Sequence, residues 1–282
     1  MGRINRKRIK PRLLVLWGCT WIPVIAVCVM LMFVVGMSFM SSAEAGSLWA
    51  EGVSAFHIVP RDFSIQSWKT VLYETPEYLL HFWNSVLLSV PVVAGSVFIS
   101  ALTGYGLALT PFRGKRLCII VLVLLMLMPY QVTLSPNFIL FNTMGLLGQR
   151  LTVILPSVFH PLGMVAMTYF MSGVPRKTLE AARLDGAGEL VIFFKIAVPQ
   201  AKGGIALLAL YSFLDVWNLV EPVLVLIRDA VKYPMSIALR SFSNTQPCVI
   251  AACAVLLAVP ALLVFAMLRE ALTEGMRIPG KE

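Results

Sequence analysis

The chain has 282 residues, of which 59% are hydrophobic and 13% charged, and it carries a net charge of +9. Its mean hydropathy is +0.84, whereas soluble domains average about 45–50% apolar and about 25% charged residues. These values exclude a disordered, collagen-like or disulfide-stapled chain. They predict that a lipid bilayer surrounds most of the sequence.

Six apolar stretches are long enough to cross a bilayer, since a transmembrane helix needs about 20 mostly apolar residues. In chain order they are residues 13–38, 83–109, 117–139, 151–172, 203–227 and 248–268. Prolines interrupt the third and fourth stretches, at Pro129, Pro136, Pro156 and Pro161. Proline is tolerated in a membrane helix where neighbouring helices satisfy the freed carbonyls, so these positions predict a packed bundle.

The first stretch has some features of a secretory signal, because it follows a basic segment and precedes Ala43-Glu44-Ala45. Such sequences end in a site of small residues of this A-x-A type. The apolar run is, however, about twice as long as the core of a signal peptide. We therefore predict an uncleaved membrane anchor.

The basic residues predict the orientation of the six helices. Seventeen of the 23 lysines and arginines lie in four segments that share one side of the membrane: the N-terminus, the segment around Lys115, the segment 175–204 and the C-terminal tail. Basic residues concentrate on the cytoplasmic side of membrane proteins. Both termini are therefore predicted to be cytoplasmic, and no soluble basic face suggests a nucleic-acid partner.

Motifs for catalysis, nucleotide hydrolysis and metal binding are absent from this sequence. It contains no GxxxxGK[ST] loop and no GxSxG elbow. Its five cysteines show no CxxC spacing and its three histidines form no HExxH pair, so we predict no metal site and no catalytic residue. If ATP drives this protein, another chain hydrolyses it.

The most informative segment runs from Pro175 to Gly204 and reads PRKTLEAARLDGAGELVIFFKIAVPQAKGG. Helix-forming residues up to Leu184 precede Gly186 and Gly188, and a second helical pattern follows, with Leu190, Phe193, Phe194 and Ala197 predicted on one face. Two such short helices are marginal alone in water and must pack on something. Short helices with an apolar face fit two alternatives equally well: a docking element for a partner protein, or an amphipathic hairpin that lies on lipid headgroups.

This segment resembles the EAA loop of the permease subunits of bacterial ATP-binding cassette importers, and we call residues 175–204 the EAA loop. The matching positions are Glu180, Ala181, Ala182, Gly186, Ile196, Val198 and Pro199, with Val198 standing where leucine is usual. The longer run EAARLDGAGE, which includes Asp185, is similar to the carbohydrate-type branch. From about residue 58 onward the chain resembles the maltose-transporter G-type permeases, in motifs such as Asn84-Ser85, Met128-Pro129 and Trp217-Asn218.

The resemblance implies an all-α membrane protein with the type I importer permease core, in a bacterial inner membrane. Residues 1–57 would form the N-terminal segment, the anchor helix and the start of the first external loop, and residues 58–282 a core of five transmembrane helices. The EAA loop would be a cytoplasmic coupling helix docked on an ATPase, with Glu180 as a polar contact. Implied partners are a second, distinct permease, two ATPase subunits and an extracytoplasmic solute-binding protein. This chain would hold no cofactor, with ATP and magnesium bound by the ATPase.

A polar row is predicted in the fifth stretch, where side chains three residues apart lie on one face of a helix. Its members are Ser212, Asp215, Asn218 and Glu221. Because charged groups inside a bilayer are costly, this row must avoid lipid. It fits either a solute path, with Trp217 as a stacking surface, or a structural row at a helix or subunit interface. Tyr130, Gln131 and His160 are further candidates for the path, although His160 fits a hydrogen-bonded core position better.

The leading hypothesis is therefore a non-enzymatic permease that passes a carbohydrate or a related polar solute inward by alternating access. A permease of the same architecture for another solute, such as a glycerol phosphate, fits the same motifs. A self-sufficient channel or secondary transporter, and an intramembrane enzyme using Asp215, Glu221 and His160, are the alternatives from other classes. The paired-acid enzyme is disfavoured because carboxylates six residues apart on a helix are about 9 Å apart along its axis.

Overall fold

The structure is a computed structural model that describes residues 11–51, 57–241 and 246–275. Throughout these ranges the regular elements are helical, apart from an isolated antiparallel bridge between Met40 and Phe63. The predicted all-α class is confirmed. The basic residues upstream of Pro11, and Arg277 and Lys281 in the tail, lie outside the described residues, so the cytoplasmic location of the termini stays a prediction.

The long helices are α1 (Pro11–Met37), α4 (Pro76–Leu109), α12 (Lys202–Trp217) and α15 (Pro247–Gly275). Shorter helices before the EAA loop are α2 (Ser42–Glu51), α3 (Gln66–Lys69), α5 (Lys115–Leu127), α6 (Tyr130–Thr143), α7 (Leu151–Val158) and α8 (Pro161–Ser172). Those from the EAA loop onward are α9 (Arg176–Leu184), α10 (Glu189–Ile192), α11 (Val198–Gln200), α13 (Glu221–Leu226) and α14 (Met235–Ser241). Two π-helical turns cover Thr70–Glu74 and Phe193–Ala197, and a 3₁₀ turn covers Ala230–Lys232.

Within the described residues, four segments are long and apolar enough to cross a membrane: Thr20–Met37, Glu77–Leu109, Leu151–Ser172 and Pro247–Thr273. The count rises to six if two bent helix pairs each form one span. One pair is α5 with α6, which meet at 96°, and the other joins Glu189–Gln200 to α12 at 79°. The predicted number of six therefore depends on how these bent pairs cross the bilayer.

The third predicted stretch, 117–139, is not one straight helix. Met128 and Pro129 are both extended between α5 and α6, with ψ values of 129° and 138°. The residue before a proline disfavours the helical conformation, which explains the break at this position. The fifth stretch, 203–227, is also interrupted, because α12 ends at Trp217 and α13 begins only at Glu221.

The described residues group into two compact units, the first formed by those within 1–75 and 242–256 and the second by those within 76–241 and 257–282. In the first unit, Glu44 accepts hydrogen bonds from the backbone N–H groups of Arg61 and Asp62, at 2.8 and 3.1 Å. His57 Nε2 lies 2.6 Å from the same carboxylate. These bonds tie α2 to the segment after residue 57. The boundary predicted at residue 57 stays a prediction.

In the second unit, α4 is the central helix and packs along α7, α8 and α12. A buried hydrogen bond of 2.9 Å joins Ser96 to Ser212 and connects α4 with α12. Gly104 permits the closest approach to α8, because a Cβ atom there would lie 2.7 Å from the Met167 carbonyl carbon. Small residues at such crossings are how membrane helices approach each other closely.

Candidate functional site

The EAA loop folds into two short helical segments joined by a turn, as predicted. Helix α9 ends at Leu184, and Gly186 takes a positive φ of 82°. Glycine adopts this conformation without a steric penalty and commonly ends helices in this way. The N–H groups of Gly186 and Ala187 donate to the carbonyls of Arg183 and Ala182, at 3.0 Å each. The turn therefore satisfies the last carbonyls of α9 and directs the chain into α10.

Helix α9 has one face toward the protein and the opposite face toward solvent. Leu179 is buried on the inner face. The outer face carries Glu180, Ala181 and Asp185 together with Leu184, whose side chain is 89% exposed. The outer face is therefore an open surface that combines a large aliphatic side chain, two carboxylates and a small alanine.

The second helical segment differs from its prediction. Leu190 and Phe194 are exposed, 70% and 53%, whereas Ile192, Phe193 and Ala197 are buried. The predicted shared face of Leu190, Phe193, Phe194 and Ala197 is therefore wrong. The inward side is already set in α10, where Leu190 is exposed and Ile192 buried, and a π-helical turn over Phe193–Ala197, which has a wider repeat than an α-helix, follows it.

The inner faces of both segments pack on the ends of α4 and α8. Leu179, Ile192, Phe193 and Ala197 form one buried cluster that also includes Ala101, Tyr105, Ala108, Met167 and Met171. The Phe193 ring meets the Tyr105 ring edge-on, with centroids 5.4 Å apart. Ile196 and Ala182 are partly buried against the same cluster, while Pro199 is exposed. The loop is thus attached to the helix bundle through apolar contacts.

Glu189 adds a polar connection between the loop and α4. Its carboxylate accepts a hydrogen bond of 2.7 Å from Arg183 Nε, in α9, and another from the hydroxyl of Tyr105, in α4. The hydrogen bond from Arg183 and then that from Tyr105 lower the pKa of Glu189 below its ordinary value. One carboxylate therefore joins both halves of the loop to the central helix, which nothing in the motif indicates.

Replacing Glu189 with glutamine is expected to loosen the second segment of the loop, because the amide weakens both hydrogen bonds. Amide hydrogen exchange in residues 189–200 should accelerate by about two- to fivefold, in keeping with a partly exposed ion pair. In the unchanged chain this segment should also loosen as the pH falls through the lowered pKa of Glu189, since that contribution is present only above it. In the Glu189→Gln variant, the opening of residues 189–200 should no longer depend on pH in this range.

Asp185→Asn is the matched control, because it removes the same charge from the same loop. The Asp185 side chain is exposed and makes no hydrogen bond within the described ranges. Equal acceleration in both variants would show that loop charge, rather than the Glu189 connection, governs the exchange rate.

The predicted polar row in the fifth stretch is wrong as a row on one helix. Ser212 and Asp215 lie within α12, but Asn218 is the residue after its end and Glu221 begins α13. Ser212 is buried and bonded to Ser96, whereas Asp215, Asn218 and Glu221 are exposed. The Asn218 side chain and its backbone N–H both donate to the Leu214 carbonyl, at 2.8 and 3.3 Å, in the last turn of α12.

Trp217 is not available as a stacking surface in this structure. Its ring is 2% exposed, lies stacked on Phe213 with centroids 5.1 Å apart, and donates from Nε1 to the Leu257 carbonyl at 2.9 Å. The last contact ties α12 to α15. Trp217 is therefore a packing residue here, and the stacking role predicted for it is not supported by its position.

The other path candidates make polar contacts in two separate places. Gln131 donates to the Glu221 carboxylate at 3.2 Å, and Tyr130 precedes it at the start of α6. His160 is half-buried just before α8, accepts from the Gly163 N–H at 3.1 Å and meets Tyr211 edge-on. These contacts give His160 a structural position, as the alternative reading proposed. The prediction that Asp215, Tyr130 and Gln131 contact a solute remains a prediction.

Sequence reasoning missed a hydrogen-bonded cluster at the opposite end of α4. Asn84 donates to the carbonyls of Val231 and Tyr233, at 2.7 and 3.1 Å, and accepts from Arg150 at 2.6 Å. Ser85 accepts from the Met235 N–H at 2.8 Å. The Asn84-Ser85 pair thus holds the segment after α13 on α4. The pair itself is visible in the sequence, but its partners are about 65 to 150 residues away and have no local signal.

The chain is similar in sequence and in fold to known transport proteins. The chain is 27% identical to the arabinooligosaccharides transport system permease protein AraQ of Halalkalibacterium halodurans, over 93% of this chain and 94% of that protein. It is 29% identical to the maltodextrin transport system permease protein MdxG of Bacillus subtilis, over 74% of this chain and 77% of that protein. A crystal structure of a bacterial ABC transporter that imports the polysaccharide alginate matches with a TM-score of 0.79 and 20% identity, covering 96% and 99% of the two chains.

The structural similarity establishes the fold, and the match to a family model establishes the family to which the chain belongs. The model described as binding-protein-dependent transport system inner membrane component matches residues 72–278. That range includes α4, the EAA loop and α12, which are the elements on which the family prediction depended. The chain therefore belongs to this family, as a multi-pass inner-membrane permease subunit of an ABC importer that works with an ATPase and a solute-binding protein.

Proposed function

We propose that this chain is one of two permease subunits of an importer that moves a carbohydrate into the cytoplasm. The observation that carries the proposal is the EAA loop, whose outer face is open while its inner face is packed on α4 and α8. The oligosaccharide solutes named for AraQ and MdxG support the choice of solute class. The second permease is proposed to be a distinct homologue, and two ATPase subunits complete the membrane complex.

In this proposal the ATPase subunits hold ATP and magnesium, and this chain holds no cofactor. Closure of the ATPase pair on ATP moves the EAA loops that are docked on it. Each loop is attached to its own bundle, through the apolar cluster at Leu179 and Phe193 and through Glu189. The movement therefore reaches α4 and α8 and changes the side of the membrane to which the solute path opens. Differential binding of the ATPase to the two conformations shifts the equilibrium between them, and ATP hydrolysis by the ATPase subunits supplies the free energy for net import.

The experiment is uptake into proteoliposomes that contain this chain, its partner permease and the ATPase, with the binding protein added outside. Radiolabelled malto-oligosaccharides and arabino-oligosaccharides are the probes, and glycerol 3-phosphate is the competing solute class. We expect uptake of an oligosaccharide that requires ATP inside the vesicles and every subunit. Flux through this chain alone, without ATP, would contradict the proposal, and so would uptake of glycerol 3-phosphate but of neither oligosaccharide.

A further inference from the structure

A cavity of about 400 Å³ lies between the end of α4, the start of α5 and the end of α8. Its inner part is apolar and lined by Leu107, Ile119, Leu122 and Val165. Its remaining lining includes the cations Lys115 and Arg176 and the hydroxyl residues Thr168, Tyr169 and Ser172. None of the lining residues is acidic. The cavity is large enough for a small-molecule group, since ligand sites range from about 300 to 1,000 Å³.

Neither cation forms an ion pair with a carboxylate among the residues that the structure describes. Lys115 donates to the Ala108 carbonyl at 3.2 Å, at the end of α4, which fixes its ammonium beside the cavity, and Arg176 begins α9. Glu180 lies in the adjoining cavity that both cations also line, but it forms no ion pair with either of them and does not line the cavity described above. Two cations that face a cavity without a carboxylate in its lining favour a ligand that carries a negative charge.

The hydroxyl groups indicate a further property of the ligand. Ser172 donates to the Tyr169 carbonyl at 2.6 Å, and Thr168 donates to the Met164 carbonyl at 2.7 Å. Each hydroxyl has one proton, which is used in its own helix, so both oxygens are left to accept hydrogen bonds. A ligand with donor hydroxyls next to its negative charge fits this arrangement better than a bare phosphate does.

The position of the cavity indicates that its ligand also has an apolar part. It lies where α4 and α8 end and α5 begins, at the level that the basic residues assign to the cytoplasmic membrane surface. Leu117, Ile120 and Tyr169 beside it are exposed, 65%, 55% and 72%, on faces that a bilayer would cover. The occupant is therefore amphipathic, with an acyl chain in reach of the apolar inner part. Basic pockets between helices on this side of a membrane are typical sites for anionic headgroups.

We propose that this cavity binds one anionic phospholipid of the cytoplasmic leaflet, with a hydroxylated headgroup such as that of phosphatidylglycerol. The phosphate lies between Lys115 and Arg176, and an acyl chain lies along Ile119 and Val165. Because Arg176 is the first residue of α9, the bound lipid contacts the start of the EAA loop. The lipid site goes beyond the proposed import function, and it does not depend on which solute is transported.

The experiment is native mass spectrometry of the complete transporter, released from nanodiscs that contain equal amounts of phosphatidylglycerol and phosphatidylcholine. We expect retention of phosphatidylglycerol in the unchanged complex. In the double variant Lys115→Gln/Arg176→Gln retention should fall roughly thirtyfold, since each basic group near an anionic surface contributes about a fivefold effect. The control double variant Arg116→Gln/Lys177→Gln removes the same charge from adjacent residues that do not line the cavity, and it should retain the lipid.

A second variant, Val165→Phe, fills the apolar part of the cavity without changing the charge and should also reduce retention. Equal lipid loss from both double variants would overturn the proposal, because general surface charge would then explain the binding. Equal retention of phosphatidylcholine would overturn it as well. Displacement of the lipid by millimolar glycerol 3-phosphate or inorganic phosphate would show a site for a soluble phosphate and would equally overturn the assignment to a lipid.

Discussion

Replacing Leu184 with aspartate is expected to abolish ATP-driven uptake while leaving the permease folded. Leu184 is 89% exposed at the end of α9, so the free subunit loses no buried contact. If the outer face of α9 docks on the ATPase, the same position becomes buried in the complex. An unpaired carboxylate there would be desolvated without compensation. We expect association with the ATPase to weaken by about a hundredfold, as for a central interface residue.

The measurement is co-purification of the ATPase with the membrane subunits, followed by uptake in proteoliposomes. Val231→Asp is the matched control, because Val231 is 61% exposed and lies in the segment after α13, far along the chain from the EAA loop. It introduces the same charge and should leave ATPase association unchanged. Leu184→Met should also bind normally, since it preserves an apolar side chain. Normal co-purification of the Leu184→Asp subunit would count against docking through α9.

In the EAA loop, the local sequence predicts some features of the structure but not others. The helix, the turn and the second helix were predictable because Gly186 and its neighbours act within a few residues of sequence. The inward face of the second segment was not, since it depends on which side chains pack on the distant helices α4 and α8, and the segment also contains a π-helical turn over Phe193–Ala197. The Glu189 connection to Tyr105 crosses 84 residues of sequence and has no local signature either.

The fifth stretch shows the opposite case, in which a regular pattern was misleading. Spacing of three residues from Ser212 to Glu221 predicts one helical face, yet α12 ends at Trp217. The Asn218 side chain bonds to the Leu214 carbonyl, and Pro222 follows at the start of α13. Average apolarity predicts a membrane segment here, because hydropathy is summed over many residues, and α12 passes as a candidate span only together with Glu189–Gln200. The helix end depends on a few side chains, which such a sum does not resolve.

Replacing Gly104 with alanine is expected to be among the most destabilising single changes in the second unit, although it adds one methyl group. A Cβ atom there would lie 2.7 Å from the Met167 carbonyl carbon and 2.9 Å from its oxygen. Both atoms belong to the backbone of α8, so no side chain can rotate away, and the two helices must separate. Overpacking of this kind costs about 1–3 kcal/mol. We expect the melting temperature of the purified subunit to fall by about 4–10 °C.

Gly106→Ala is the control, two residues further along the same helix. The nearest atom to a Cβ there is the Thr110 hydroxyl oxygen, at 3.9 Å, which is an ordinary contact distance. Because alanine favours helix more than glycine does, by about 1 kcal/mol, this variant should be as stable as the unchanged chain or slightly more stable. The two glycines flank Tyr105 and look equivalent in the sequence, so the expected difference between them tests the packing of α4 on α8 directly. Equal melting temperatures for the two variants would show that α4 and α8 are not in close contact at Gly104.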